Sequence, residues 1–180
     1  MSSRAGIGSL FVMAVLAGCG GHHSRPTTSA PAGHATGSGS GPVSATARCP
    51  VTLPRPWVPP PGVPQRALFG SDYASGNGRL WVGGLWPSGV IQAGPRFINT
   101  DGSVGMKFGW WRNVRGHLRI TGRRLDASAP PLRAHVPDGY GITGFQSSGV
   151  IFPTAGCWQV TGQAGTAKLT FVTMVIKQAI

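Results

Sequence analysis

From Cys49 onward, short apolar runs alternate with turn residues. The turns include Ser75-Gly-Asn-Gly and Thr100-Asp-Gly-Ser, and the runs between them are rich in Val, Ile, Phe and Trp. Helical periodicity is not sustained in this part of the chain, and short runs between frequent turns are typical of a β-sandwich or barrel. The pattern therefore predicts an all-β domain over residues 49–180, long enough to bury its own core.

Two of these runs, residues 104–113 and 117–123, predict a β-hairpin. Their connection, residues 114–116, ends in Gly116, which suits the left-handed last position of a three-residue hairpin loop. The core-facing side chains in this register are Met106, Phe108, Trp110, Leu118 and Ile120. The side chains predicted on the outer face include Lys107, Trp111, His117, Arg119 and Arg123.

This outer face is the candidate ligand surface. Trp111 beside Arg119 could form a cation–π pair worth about 0.5–1 kcal/mol when exposed. An aromatic ring among basic groups suits an acidic glycan or another polyanion. In the alternative interpretation, Trp111 packs beneath the proline-rich stretch 53–62 and the charges are simply solvated. That stretch is expected to lie over the domain, because proline is excluded from central strands.

The C-terminal part of the chain predicts a second hairpin, between residues 156–162 and 166–177. The latter run is apolar on both alternating sets of positions, which indicates a central strand covered on both sides. The hairpin resembles that of immunoglobulin-like sandwiches. Gly-Cys-Trp-Gln-Val-Thr followed by Leu-Thr-Phe-Val is also similar to segments of uncharacterised bacterial surface lipoproteins. The resemblance implies an immunoglobulin-like antiparallel β-sandwich outside the cytoplasm, with no assigned activity.

The first 18 residues predict an export signal. Arg4 precedes an apolar stretch that ends at Gly18, shorter than the roughly 20 residues that a membrane-spanning helix needs. Leu16-Ala17-Gly18-Cys19 resembles the lipobox of bacterial lipoproteins, in which a peptidase cleaves before the cysteine and the thiol carries a diacylglycerol. The resemblance implies a signal peptide at residues 1–18, lipidation of Cys19, and anchoring to the extracytoplasmic face of the cell membrane.

Residues 20–48 contain little that can be buried. Gly, Ser, Thr, Ala and Pro dominate, so Cys19 and this segment are expected to form a lipidated, flexible tether. His22, His23 and His34 are more typical of solvated linker than of a metal site.

The chain is strongly basic. The sequence contains sixteen Lys and Arg residues, four Asp and no Glu, which gives a formal charge of +12. Such a surface binds nucleic acid by counterion release, but it suits anionic lipid or an acidic cell-wall polymer equally well. The predicted export favours the envelope partners over nucleic acid. A cytoplasmic nucleic-acid binder is a third hypothesis, which requires that the leader does not function.

Cys49 and Cys157 remain for the exported domain once Cys19 is lipidated. An even pair in an exported domain predicts a disulfide. A competing interpretation makes Cys157 a nucleophile, because residues 155–160 faintly resemble the Ser-His-Gly-Cys-Ile-Arg catalytic segment of L,D-transpeptidases. Ala155 and Gln159 replace the His and Arg of that segment, so a distant base, His117 or His135, would have to activate the thiol.

Other catalytic chemistry is weakly represented. The four Asp are scattered, two of them beside turn glycines, and neither a metal-ligand spacing nor a phosphate-binding glycine motif is present. The sequence therefore predicts a membrane-anchored, non-catalytic binding or scaffolding domain without metal or cofactor. An envelope enzyme that uses Cys157 is the alternative.

Overall fold

The computed structural model describes residues 49–68 and 71–178, which form ten strands in two sheets. In spatial order, the six-stranded sheet comprises β1 (Arg55–Pro56), β2 (Tyr73–Gly76), β3 (Leu80–Gly83), β5 (Val104–Arg112), β8 (Gly144–Phe152) and β7 (Arg133–His135). The four-stranded sheet comprises β4 (Val90–Ala93), β10 (Ala167–Lys177), β9 (Gly156–Ala164) and β6 (Leu118–Arg124). A short 3-10 helix, Pro95–Phe97, follows β4. The predicted signal peptide, Cys19 and the tether lie outside the described residues.

The two sheets pack face to face around an aromatic core. Phe171 of β10 contacts Phe108 and Trp110 of β5, with ring centroids 5.9 and 6.4 Å apart. Large aromatic side chains dominate the burial of apolar area in a core of this kind. The all-β prediction is confirmed, with the strands arranged as a sandwich. Within the described residues, none of the helices is long and apolar enough to cross a membrane.

The hairpin predicted between residues 104–113 and 117–123 is wrong. β5 pairs with β3 and β8 in the six-stranded sheet, whereas β6 pairs with β9 in the four-stranded sheet. Residues 113–117 therefore carry the chain from one sheet to the other. The inward side chains were nevertheless predicted correctly, and all of them are buried: Met106, Phe108, Trp110, Leu118 and Ile120. The alternation of apolar and polar residues shows which side of a strand faces the core, but it does not show which other strand is its neighbour in the sheet.

A buried arginine holds the crossing connection in place. The Arg112 guanidinium donates hydrogen bonds to the carbonyl oxygens of Gly116 (2.9 Å), Gly141 (2.5 Å), Thr143 (3.3 Å) and Gly144 (3.3 Å). Burial lowers the pKa of this guanidinium, and its fork of N–H donors suits several carbonyls at once. Arg112 thereby joins the β5–β6 crossing to the loop that precedes β8.

The C-terminal hairpin was predicted correctly. β9 and β10 pair from Ala164 opposite Ala167 onward, and β10 lies between β9 and β4, so it is a central strand. Two details differ from the prediction. β4 runs parallel to β10, so the four-stranded sheet is mixed and not purely antiparallel. Lys168 and Thr170 are exposed, so the first half of β10 is covered on one side only.

A disulfide links the start of the domain to β9. Cys49 and Cys157 form a disulfide with their Cα atoms 5.5 Å apart, which confirms the predicted pairing. Three residues further on, Thr52 donates its backbone N–H to the Val172 carbonyl at 2.8 Å, and its hydroxyl accepts the Val172 N–H at 2.9 Å. The first residues of the domain thus run along β10.

The proline-rich stretch then crosses to the six-stranded sheet. β1 is a two-residue edge strand paired with β2, as expected for a segment with so many prolines. Beyond it the chain folds back over the outer face of the sheet, where Trp57 and Leu68 are buried in a small cluster that also includes Trp81 and Trp111. The segment therefore covers part of one outer face, as predicted.

Candidate functional site

The structure divides the predicted ligand surface between two opposite faces of the sandwich. Lys107 and Trp111 lie on the outer side of β5, whereas Arg119 and Arg123 lie on the outer side of β6 in the other sheet. His117 is exposed immediately before β6. The prediction that these five residues share one face is wrong, because it depended on pairing β5 with β6.

Trp111 is a packing residue. It is partly buried in the cluster beneath the proline-rich stretch, opposite Trp81 of β3, and its indole Nε1 is buried without a hydrogen-bond partner. This arrangement agrees with the structural interpretation of Trp111. A cation–π pair with Arg119 is excluded, because Trp111 lies on the outer side of the six-stranded sheet and Arg119 lies on the outer side of the four-stranded sheet.

A regular polar surface covers the outer side of β6, β9 and β10. Three cross-strand rows form it, and each row contains one residue from each of the three strands. The rows are Arg119–Gln163–Lys168, Thr121–Thr161–Thr170 and Arg123–Gln159–Val172. We call the polar residues of these rows the cationic face. Lys168 brings a third positive charge to Arg119 and Arg123.

Sheet geometry sets the spacing of the charges. With strands about 4.8 Å apart and a rise of about 3.3 Å per residue, Arg119 is about 10 Å from Lys168 and about 13 Å from Arg123 along the backbone. The Arg123 guanidinium donates from Nε to Gln159 Oε1 at 3.2 Å, and the hydroxyls of Thr161 and Thr170 are 2.9 Å apart. These contacts order two of the three rows of the face.

Two of the four acidic side chains, Asp101 and Asp126, form ion pairs with cations outside the cationic face. Arg124, whose side chain points to the other side of β6, donates from Nε to Asp126 at 2.7 Å and thereby holds the pKa of that carboxyl below its usual value. The hydroxyl and N–H of Ser103 lower the pKa of Asp101, which also pairs with Arg133 at 3.3 Å. Within the described residues these are the two ion pairs, and neither includes a cation of the face.

The chain enters the domain on the side of this face. Cys157 has the same outward orientation on β9 as Gln159 and Thr161, and it is covered by its disulfide partner Cys49. Cys49, the first described residue, therefore lies next to the last row of the cationic face.

Among the described residues, neither histidine lies where it could activate Cys157. Its sulfur is bonded to Cys49. His117 precedes Leu118, which pairs with Ala164 at the opposite end of β9, and His135 lies in the other sheet. In residues 49–68 and 71–178, His, Cys and Asp form no group of three that could hold a metal ion.

Sequence reasoning missed several residues of the face. Gln159, Gln163, Lys168 and Thr170 were not among the predicted site residues, although alternation of polar with apolar positions is visible in Gln159-x-Thr161-x-Gln163 and in Lys168-x-Thr170. That alternation is the signal for a sheet with one solvated face. The strand order was needed to bring these residues next to Arg119 and Arg123.

Comparison with known proteins adds no further assignment. No protein family matches the chain, and no curated protein matches it. The geometry and charge of the cationic face therefore form the basis for a functional assignment.

Proposed function

We propose that the protein is a lipid-anchored, extracytoplasmic, non-catalytic binding domain whose cationic face holds an anionic polymer or lipid of the cell envelope. The observation that carries this proposal is the set of three cations, Arg119, Arg123 and Lys168, on one polar sheet surface, none of which takes part in either ion pair of the described residues. Unpaired cations at fixed spacing attract a ligand that carries repeated negative charges.

The neighbouring side chains suit such a ligand. Arginine binds carboxylates and phosphates through two parallel hydrogen bonds. The amides of Gln159 and Gln163 and the hydroxyls of the Thr121 row can bond to further oxygens of an extended chain. Each exposed contact is weak and screened by salt, so the affinity depends on several contacts acting together.

The leader and the tether support the location. The Leu16-Ala17-Gly18-Cys19 resemblance implies a lipid anchor at Cys19. The composition of residues 20–48 predicts a flexible tether, which would have a root-mean-square length of roughly 30 Å. The cationic face would thus lie within reach of the membrane surface and of polymers close to it. An exported protein meets those anions and not nucleic acid. As part of this proposal, the sandwich is immunoglobulin-like, for which the β9–β10 hairpin is the main support.

The alternative of an envelope enzyme requires a free Cys157 thiol and a nearby base. The disulfide and the positions of His117 and His135 argue against it. We therefore retain the binding function.

The test compares two double variants of the full chain that lose the same charge. Arg119→Ala with Arg123→Ala removes two cations of the face, while Lys107→Ala with Arg66→Ala removes two exposed cations elsewhere. Binding to inorganic polyphosphate and to phosphatidylglycerol vesicles is measured at low and high salt. We expect the first variant to bind about ten-fold more weakly at low salt, and the control to bind like the wild type.

The two ligands distinguish the sources of negative charge. If the Arg119→Ala, Arg123→Ala variant binds polyphosphate more weakly than the wild type, the face is assigned to soluble polyanions. If its binding is weakened only with vesicles, the face is assigned to lipid headgroups. Equal binding by the two double variants would refute the assignment of function to this face.

A further inference from the structure

A cavity of about 580 Å³ lies between the proline-rich stretch and the edge of the six-stranded sheet. Trp57 and Trp81 contribute to its wall, and Arg55 of β1 lies at its side. We propose that this cavity is a subsite for one pyranose ring that carries a carboxylate. The inference rests on the proposed function, because the ring would be one unit of the anionic polymer held by the cationic face.

The two indoles form an aromatic corner. Their ring centroids are 6.4 Å apart and their planes meet at 75°, and the Trp57 Nε1–H donates to the Gln65 carbonyl at 3.0 Å. Trp81 lies directly over Gly76 of β2, where an added Cβ would collide with the indole. Gly76 therefore permits the position of Trp81. Trp57 is only 6% exposed and supports Trp81, which is half-buried and lines the cavity. The C–H groups of a sugar ring are attracted to the accessible part of the Trp81 indole, because the face of an aromatic ring is negative.

Arg55 gives the cavity its selectivity for an acid. The side chain is exposed, and within the described residues it takes part in neither ion pair. A guanidinium matches a carboxylate by two parallel hydrogen bonds. A neutral sugar would leave Arg55 unpaired, and a bare phosphate would leave the aromatic wall unused. A uronic acid ring satisfies both parts of the cavity.

Two contacts link the surroundings of the cavity to β10, a strand of the cationic face, at one edge of the sandwich. Thr52 lines it and is hydrogen-bonded to Val172 of β10. On the other side, Asn77, which follows Gly76, donates from Nδ2 to the Lys168 carbonyl at 2.8 Å. The cavity thus lies near the first part of β10, which pairs with β9 on one side and not with β4 on the other. A polymer that passes around this edge of the sandwich could rest its charges on the cationic face and place a ring in the cavity.

The rim of the cavity is also apolar. Leu53 and Val58 are 65% and 78% exposed, the highest values among the exposed large hydrophobic side chains of the described residues. Both line the cavity. Holding apolar side chains in water is unfavourable, so a ring that covers them on binding gains free energy.

The test measures the preference of the full chain between a short oligogalacturonate and an inorganic polyphosphate of equal charge. The first ligand has acidic rings, and the second has charge without rings. We expect the wild type to prefer oligogalacturonate by about ten-fold. Arg55→Ala and Gly76→Ala should abolish that preference and leave polyphosphate affinity unchanged. Arg66→Ala, an exposed arginine outside the cavity, is the matched control and should keep the preference.

The outcomes separate the two proposals. If the wild type shows no preference, or if Arg55→Ala weakens both ligands equally, the subsite is refuted while the cationic face stands. If Arg119→Ala with Arg123→Ala leaves polyphosphate binding intact, the proposed function of the face fails independently. Gly76→Ala could also disturb folding, so the decision depends on Arg55→Ala, whose side chain is exposed.

Discussion

The indole of Trp110 on β5 occupies the space that a side chain at Gly162 on β9 would need. This contact joins the two sheets at the centre of the sandwich, where Trp110 is fully buried and donates its Nε1–H to the Ser148 hydroxyl at 3.0 Å. The hydrogen bond leaves the indole little freedom to move aside. The glycine on β9 therefore sets how closely the sheets can approach at this point.

Gly162→Ala should consequently destabilise the domain. The added methyl group collides with a side chain that is held on its other side, and overpacking of this kind costs about 1–3 kcal/mol. Urea unfolding followed by tryptophan fluorescence measures the change. Gly149→Ala on β8 is the control, because a Cβ there meets nothing within 4 Å. Equal midpoints for the two variants would contradict this account of the sheet contact.

The disulfide should contribute strongly to stability. It joins residues 108 positions apart, and chain entropy predicts a stabilisation of up to about 4.7 kcal/mol for a loop of about 100 residues. Cys49→Ser with Cys157→Ser should therefore unfold at a much lower urea concentration than the wild type. Thiol titration of the denatured, unreduced protein should detect no thiol at these two positions. A reactive Cys157 would reopen the enzymatic alternative.

Loss of Arg112 should destabilise the crossing between the sheets. Arg112→Met removes the donor for four carbonyl oxygens, and an unsatisfied buried polar group costs about 1–3 kcal/mol. Arg112→Lys should recover only part of this loss, because an ammonium group cannot reach the same set of acceptors as a planar fork. Arg119→Met is an exposed control and should change the free energy of unfolding by less than about 0.5 kcal/mol. A neutral effect of Arg112→Met would show that the crossing does not depend on this side chain.

The Arg124–Asp126 pair should make stability depend on pH in the acid range. Hydrogen bonding by Arg124 depresses the pKa of Asp126 in the folded state, so the folded state binds fewer protons there than the unfolded state. The resulting stabilisation is complete above the unfolded pKa of about 3.9 and is lost as the pH falls through the folded pKa. Asp126→Asn should therefore reduce the acid-induced decline in urea midpoint.

The control for this pH experiment is Asp72→Asn, since Asp72 is exposed and forms neither of the two ion pairs. It should retain the decline of the wild type. If Asp126→Asn also retains it in full, the pair does not govern acid stability.

Much of the local architecture could be predicted from the sequence. Alternation correctly identified the inward side chains of β5 and β6, and the run around Phe171 correctly indicated a central strand paired with its predecessor. The even pair Cys49 and Cys157 was also sufficient to predict the disulfide. These successes share a physical cause, because each depends on local side-chain periodicity or on pairing with the nearest available partner.

The candidate site could be predicted only in part, because it depends on which strands are neighbours. Arg119 and Arg123 were identified, but Trp111 was wrongly placed beside them and Lys168 was missed. Which strands pair depends on how whole faces fit together, and the packing of Trp110 against Gly162 and the hydrogen bonds of Arg112 are two contacts of the observed arrangement. Such contacts leave no periodic signal along the chain.

The sequence by itself thus determined the strand content, the inward faces and the cysteine partners, since these follow from period-two patterning and composition. Only the tertiary structure decided that β5 and β6 belong to different sheets, because the Gly116 connection permits either a hairpin or a crossing. That choice assembled the cationic face from β6, β9 and β10, and it placed the Trp57–Trp81 cavity alongside β10.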